Sequence, residues 1–80
     1  MEIRKYNLYE VNRMIDYAPL RETMREKNVT TYTLIEKHKM SSSTIHRIRH
    51  NQPVSLMTID DLCTILKCDI KDIVRHIPNE

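Results

Sequence analysis

From residue 15 onward, apolar residues recur at helical spacing in five short stretches, and most stretches are preceded by a side chain able to close a helix start. Pro19 suits a first turn. Leu20 and Met24, with Tyr17 just ahead, then form a stripe up to about Lys27, which Asn28 and Val29 break. Thr30 is the cap of a second helix carrying Tyr32, Leu34 and Ile35 to about His38. Ser41 caps a third over residues 42–50, with Ile45 and Ile48 on its inner face, and Gln52-Pro53-Val54 ends it. Ser55 caps a fourth, in which Ile59, Leu62, Cys63 and Leu66 follow the i, i+3, i+4, i+7 rule. Asp69 caps a last short helix where Ile70, Ile73, Val74 and Ile77 repeat that spacing before Pro78, and both of these stripes are expected in the core. Residues 1–14 are different. Ile3, Tyr6, Leu8, Tyr9 and Val11 fit neither a helical period nor a clean alternation, so the chain reads as an arm over 1–14 and an all-α, five-helix domain over 15–80, with an extended segment near 15–17.

Length limits what such a domain can do. Eighty residues form one domain that buries roughly 60–65% of its unfolded surface, which leaves little room for a deep enclosed cleft. No run of about 18 apolar residues and no signal-peptide pattern is visible, so a cytoplasmic protein without a membrane partner is expected. Cys63 and Cys68 fall within apolar patterns and read as buried free thiols, the alternative being a redox pair. The chain has no glycine, so its helix ends must be made by other residues.

The net charge of +2 says little until it is located. Residues 1–36 are balanced, and residues 52–80 carry more acid than base. Between them, Lys37, Lys39, Arg47 and Arg49 stand without any acid and are joined by His38, His46 and His50. The positive field is therefore concentrated on the third predicted helix and the turn before it.

The second and third helices are separated by only about three residues, the arrangement of a helix-turn-helix, in which two helices cross steeply over a short turn. The run from Thr31 through Leu34-Ile35, Lys39-Met40-Ser41 and Ile45 to Ile48, with the downstream stretch 55–70, resembles the phage Cro and repressor family of helix-turn-helix regulators, often called XRE-like. The resemblance extends over about residues 17–77. It implies a compact repressor-like fold, sequence-specific binding of double-stranded DNA, a bacterial or phage setting at the nucleoid, and a homodimer spanning half-sites one helical turn apart. Where the family usually has alanine and glycine, this chain has Ile35 and Lys39; in a left-handed turn the lysine carries a strain of about 1–2 kcal/mol. By the family's contact pattern Ser42, Ser43 and Arg47 read bases, with His46 a further candidate, while Thr31, His50 and Asn51 hold the backbone. Lys39, Thr44 and Arg49 join the phosphate contacts on local charge and position.

The residues argue for DNA without the family. A helix opening Ser-Ser-Ser-Thr presents short hydroxyls and free N–H groups at its positive end, which allows close approach to phosphates and base edges. Arg47 lies one turn beyond Ser43, and arginine pairs with guanine O6 and N7 in the major groove. Competing chemistries lack parts. His46 and His50 are four apart, yet no adjacent Cys, Asp or Glu completes a metal set. The serines lack an orienting third group for nucleophilic work. No catalytic residue, metal, cofactor or small-molecule substrate is therefore expected. Arg4, Lys5 and Arg13 on the arm are candidates for a minor groove or for a partner subunit. Ile70, Ile73, Val74 and Ile77 exceed what a short terminal helix needs and mark a dimer surface, with any sensing left to another protein. The rival class is a protein-interaction module, such as an antitoxin or anti-repressor subunit, that grips another protein with the same helices.

Overall fold

The computed structural model describes residues 15–77. The proposed arm, with Arg4, Lys5 and Arg13, lies outside the described residues, as does Pro78. Within them the order is β1 (Ile15–Asp16), α1 (Ala18–Lys27), α2 (Thr31–Glu36), α3 (Ser42–Arg49), α4 (Leu56–Leu66), a single 3-10 turn (Ile70–Asp72) and β2 (Arg75–His76).

Each α-helix start and end has an identifiable cause. Thr30, Ser41 and Ser55 accept through their hydroxyl oxygens from the N–H groups of Thr33, Thr44 and Thr58, each at 3.1 Å. Such caps contribute on the order of 1 kcal/mol apiece. Helix α1 starts differently: the Asp16 carboxylate accepts from the Ala18 N–H at 3.0 Å, placing negative charge at the helix's positive end. In the absence of glycine, left-handed backbone falls to Asn28, Lys39, Asn51 and Lys67, with φ of 62°, 61°, 54° and 53°. All four follow helices. Asparagine tolerates that region, whereas the two lysines occupy it at a steric cost.

The expectation of five helices is not met. After Asp69 the chain makes one 3-10 turn, closed by a capping box in which Asp69 and Asp72 each take the other's backbone N–H, and then straightens. β2 pairs antiparallel with β1, with Ile15 opposite His76 and Asp16 opposite Arg75. Ile73 still closes the turn in the right-handed helical region; from the β-branched Val74 an extended path is favoured, and Arg75 stabilises it by gripping Asp16 through Nε and Nη2 at 2.9 and 2.8 Å. Of the terminal stripe only Ile73 is fully buried; Ile70 and Ile77 are 49% and 42% exposed, so this stripe is not a core face. Helix α2 ends at Glu36, short of His38, and its Tyr32 faces solvent.

The core is built by Tyr17, Leu20, Leu34, Ile45, Ile48, Ile59, Leu62, Leu66 and Ile73. It draws on every α-helix, so the orientation of α3 is fixed by packing on its neighbours. The Thr23 hydroxyl donates to the Asp72 carbonyl at 2.8 Å and ties α1 to the 3-10 turn. No helix among the described residues is long and apolar enough to cross a membrane.

Candidate nucleic-acid interface

Helix α3 separates its two faces cleanly. At about 100° per residue, Ile45 and Ile48 fall on one side and Ser43, His46, Arg47 and His50 on the other. The first two are buried and the other four are exposed. Ser42 is also exposed at the helix start. The inner face is what holds the outer one in place, because Ile45 and Ile48 lock into the core beside Leu34 of α2.

The turn before α3 takes the form the sequence predicts. Lys39 adopts the left-handed conformation, and the N–H of Met40 donates back to the Leu34 carbonyl at 3.0 Å, closing the end of α2. Ile35 is half-buried at the crossing. The side chains at the start of α3 bond to one another, Ser41 Oγ lying 2.8 Å from Thr44 Oγ1 and 3.2 Å from Ser43 Oγ. Ser41 is thus committed to capping.

The ten candidate residues do not share one surface feature. Ser42, Ser43, His46 and Arg49 line one open depression with Ile35 and Ile45. Arg49 Nη2 donates to Thr31 Oγ1 at 3.2 Å, linking the end of α3 to the start of α2. Lys39 and Thr44 line a different depression, shared with Thr58 and Asp61 of α4, although the Ser41 hydroxyl still links Thr44 to Ser43. Beyond the helix, His50 is its C-cap and the His46 and His50 rings lie 4.3 Å apart. Arg47 is exposed and makes no side-chain hydrogen bond or ion pair among the described residues. No cluster of three or more potential metal ligands occurs among the described residues.

Asn51 is held from a distance. Its Oδ1 accepts from the Tyr17 N–H at 3.3 Å, while the Tyr17 hydroxyl donates to the Gln52 carbonyl. Tyr17 is therefore a positioning residue that the sequence pattern assigned only to the core. Its one advance signal was a phenol among otherwise apolar buried positions, since a buried tyrosine hydroxyl needs a partner.

Two short helices joined by a left-handed turn, with an outward polar face carrying an arginine on the second, together describe a helix-turn-helix. Residues 19–79 match the family model of the Cro/C1-type helix-turn-helix DNA-binding domain. The chain belongs to that Cro/C1-type family. It is accordingly a DNA-binding domain of the kind used in transcriptional regulation. The solved structure of transcriptional regulator VanUg is similar, at 28% sequence identity and a TM-score of 0.76, covering 94% of this chain and 100% of that one. No curated protein matches the sequence. In this Cro/C1-type domain the corner is α2 and α3, and the small β1–β2 sheet closes the fold where a fifth helix was expected.

Proposed function

We propose that the protein is a transcriptional regulator that binds double-stranded DNA sequence-specifically by laying α3 in the major groove. The observation that carries this reading is the division of α3, with Ile45 and Ile48 buried and Ser42, Ser43, His46 and Arg47 exposed on the outer side. Those four are the base-reading set, with Arg47 the strongest member because its guanidinium is unengaged and matches guanine's paired acceptors. Thr31, Lys39, Thr44, Arg49, His50 and Asn51 hold the phosphate backbone. Within that set Thr31 and Arg49 act as one clamp through their hydrogen bond, and Asn51 is pre-set by Tyr17.

The protein works in the cytoplasm at the bacterial nucleoid, as a homodimer on two half-sites. Ile70 and Ile77, half-exposed beside the terminal strands, support a surface for the second copy, although not on a fifth helix. Selection of bound duplexes from a random pool, followed by a salt titration on the selected site, tests the reading. DNA binding through several phosphates gives a linear loss of affinity in log salt with a slope near −0.9 per contact. A selected pool without a shared motif, or an affinity indifferent to salt, favours the protein-interaction class instead.

A further inference from the structure

Residues of α1, α2 and α3 together line an apolar hollow of about 300 Å3. Its floor is Leu34 of α2 with Ile45 and Ile48 of α3, and Leu20 and Met24 of α1 form its wall. The rim has the opposite character. Arg21, Arg25 and Arg49 stand around the hollow, and no acidic residue among those described lines it. Arg25 is engaged with Glu22 at 3.0 Å, and Arg49 spends one of its five N–H groups on Thr31. Arg21 makes no side-chain hydrogen bond among the described residues.

We propose that this hollow binds a small amphipathic anion, a medium-chain aliphatic carboxylate or a compound of the same shape and charge, and that its occupancy weakens the grip on DNA. An apolar cavity of about 150 Å3 admits benzene, and small-molecule sites begin near 300 Å3. The hollow therefore has room for a short hydrocarbon chain. A bare phosphate or a DNA strand would satisfy the arginines yet leave the apolar floor empty, whereas an uncharged chain would fill the floor and leave the rim unused. Only a ligand with both parts uses both features. Bidentate pairing with a carboxylate is what a guanidinium is shaped for.

The link to DNA follows from which residues are shared, and rests on the function proposed above. Three of the lining residues, Ile45, Ile48 and Arg49, belong to α3, and Arg49 with Thr31 forms the phosphate clamp. A carboxylate at the rim draws the Arg49 donors away from Thr31 and from the DNA backbone. Met24, half-buried and unbranched, is the side chain that repacks most easily to admit a chain.

The test begins without DNA, so that it stands even if the assigned base and phosphate contacts are wrong. Octanoate is titrated into the full chain while methyl resonances are followed, with octan-1-ol and octylammonium as controls. Saturable shifts are expected at Leu20, Met24, Leu34, Ile45 and Ile48, with both controls weaker by at least about tenfold. Arg21→Gln, at an exposed position, should weaken octanoate but not octanol, and Met24→Phe, which crowds the hollow, should weaken both. In a second arm, saturating octanoate should lower affinity for the selected duplex at least about fivefold, within the usual range of allosteric coupling. Absence of saturable shifts, equal affinity for octanol, or shifts confined to the exposed Leu56 and Met57 overturns the pocket. Saturable binding with unchanged duplex affinity overturns its role as an effector site.

Discussion

The Tyr17 hydroxyl donates to the Gln52 carbonyl at 2.8 Å, joining the segment that opens α1 to the segment that leaves α3. Burial pushes the phenol's pKa up against the opposing pull of a hydrogen bond from the Val54 backbone, so it remains a proton donor at neutral pH. Tyr17→Phe keeps the buried ring and orphans one carbonyl. The expected loss is about 1 kcal/mol of stability by urea denaturation, together with weaker duplex binding. Combining it with Asn51→Ala should give less than the sum of the two losses in DNA affinity, because both act on the same exit from α3.

Asp16 gives the fold an acid-sensitive joint. Burial raises its pKa, but the Ala18 N–H, the Arg75 guanidinium and the charge of Arg21 together outweigh burial and hold it below the ordinary carboxylate range. A carboxyl with a lower pKa folded than unfolded stabilises the fold fully above its unfolded value, and loses that contribution as pH falls toward the folded one. Thermal stability should therefore decline as the solution is acidified below the usual aspartate pKa. Asp16→Asn should flatten that decline and cost about 1 kcal/mol at neutral pH, kept small by solvent screening of Arg75, which is 62% exposed.

Lys39 and Lys67 both occupy the left-handed region, with φ of 61° and 53°. Replacement by glycine removes the clash of Cβ but loosens the unfolded chain, so each should gain roughly 0.5–1 kcal/mol in denaturation experiments. The two should differ on DNA. Lys39→Gly should also reduce the salt slope by about one if Lys39 meets a phosphate, whereas Lys67→Gly, after α4, should leave it unchanged.

The parts of this fold readable from sequence were those governed by neighbours. Thr30, Ser41 and Ser55 announced three helix starts because a cap acts within three residues, and Ile45 and Ile48 oriented α3 through its period. The terminal stripe misled for a physical reason: Ile70, Ile73, Val74 and Ile77 have helical spacing, but the competing partner of Arg75 is Asp16, 59 positions away. Local periodicity contains no information about that pairing. The candidate site was legible in the same uneven way. Ser42, Ser43 and His46 line one depression, while Lys39 and Thr44 line another together with Asp61, and neither the Tyr17–Asn51 bond nor the hollow lined by α1 had any local signature.

Cys63 and Cys68 should be sluggish thiols. Both are half-buried rather than fully buried; desolvation raises the pKa of each, helped at Cys63 by Asp69 and Asp60 and at Cys68 by the neighbouring Cys63 and by Asp72. The thiolate is the reactive form. Alkylation by iodoacetamide at neutral pH, followed by mass spectrometry, should be markedly slower for the folded protein than for the urea-unfolded chain. Rapid labelling of either cysteine in the folded state would revive the redox reading.

Arg47 and Arg49 sit two apart on α3 in different surroundings, and their alanine variants test the proposed split between base reading and backbone holding. Arg47 lies on the exposed face and has no intramolecular partner among the described residues, so its guanidinium can take a new partner without breaking a bond. Arg49 is already bonded to Thr31 and flanks that face, which suits a fixed phosphate clamp. Arg47→Ala should cost about 1–3 kcal/mol on the selected site, relax preference at one base pair and leave random duplex nearly unaffected. Arg49→Ala should weaken selected and random duplexes alike and lower the salt slope by about one. Competition binding on both duplexes at several salt concentrations measures all of these. Equal losses on both duplexes for Arg47→Ala would remove it from the base-reading set and move that role to Ser42, Ser43 and His46.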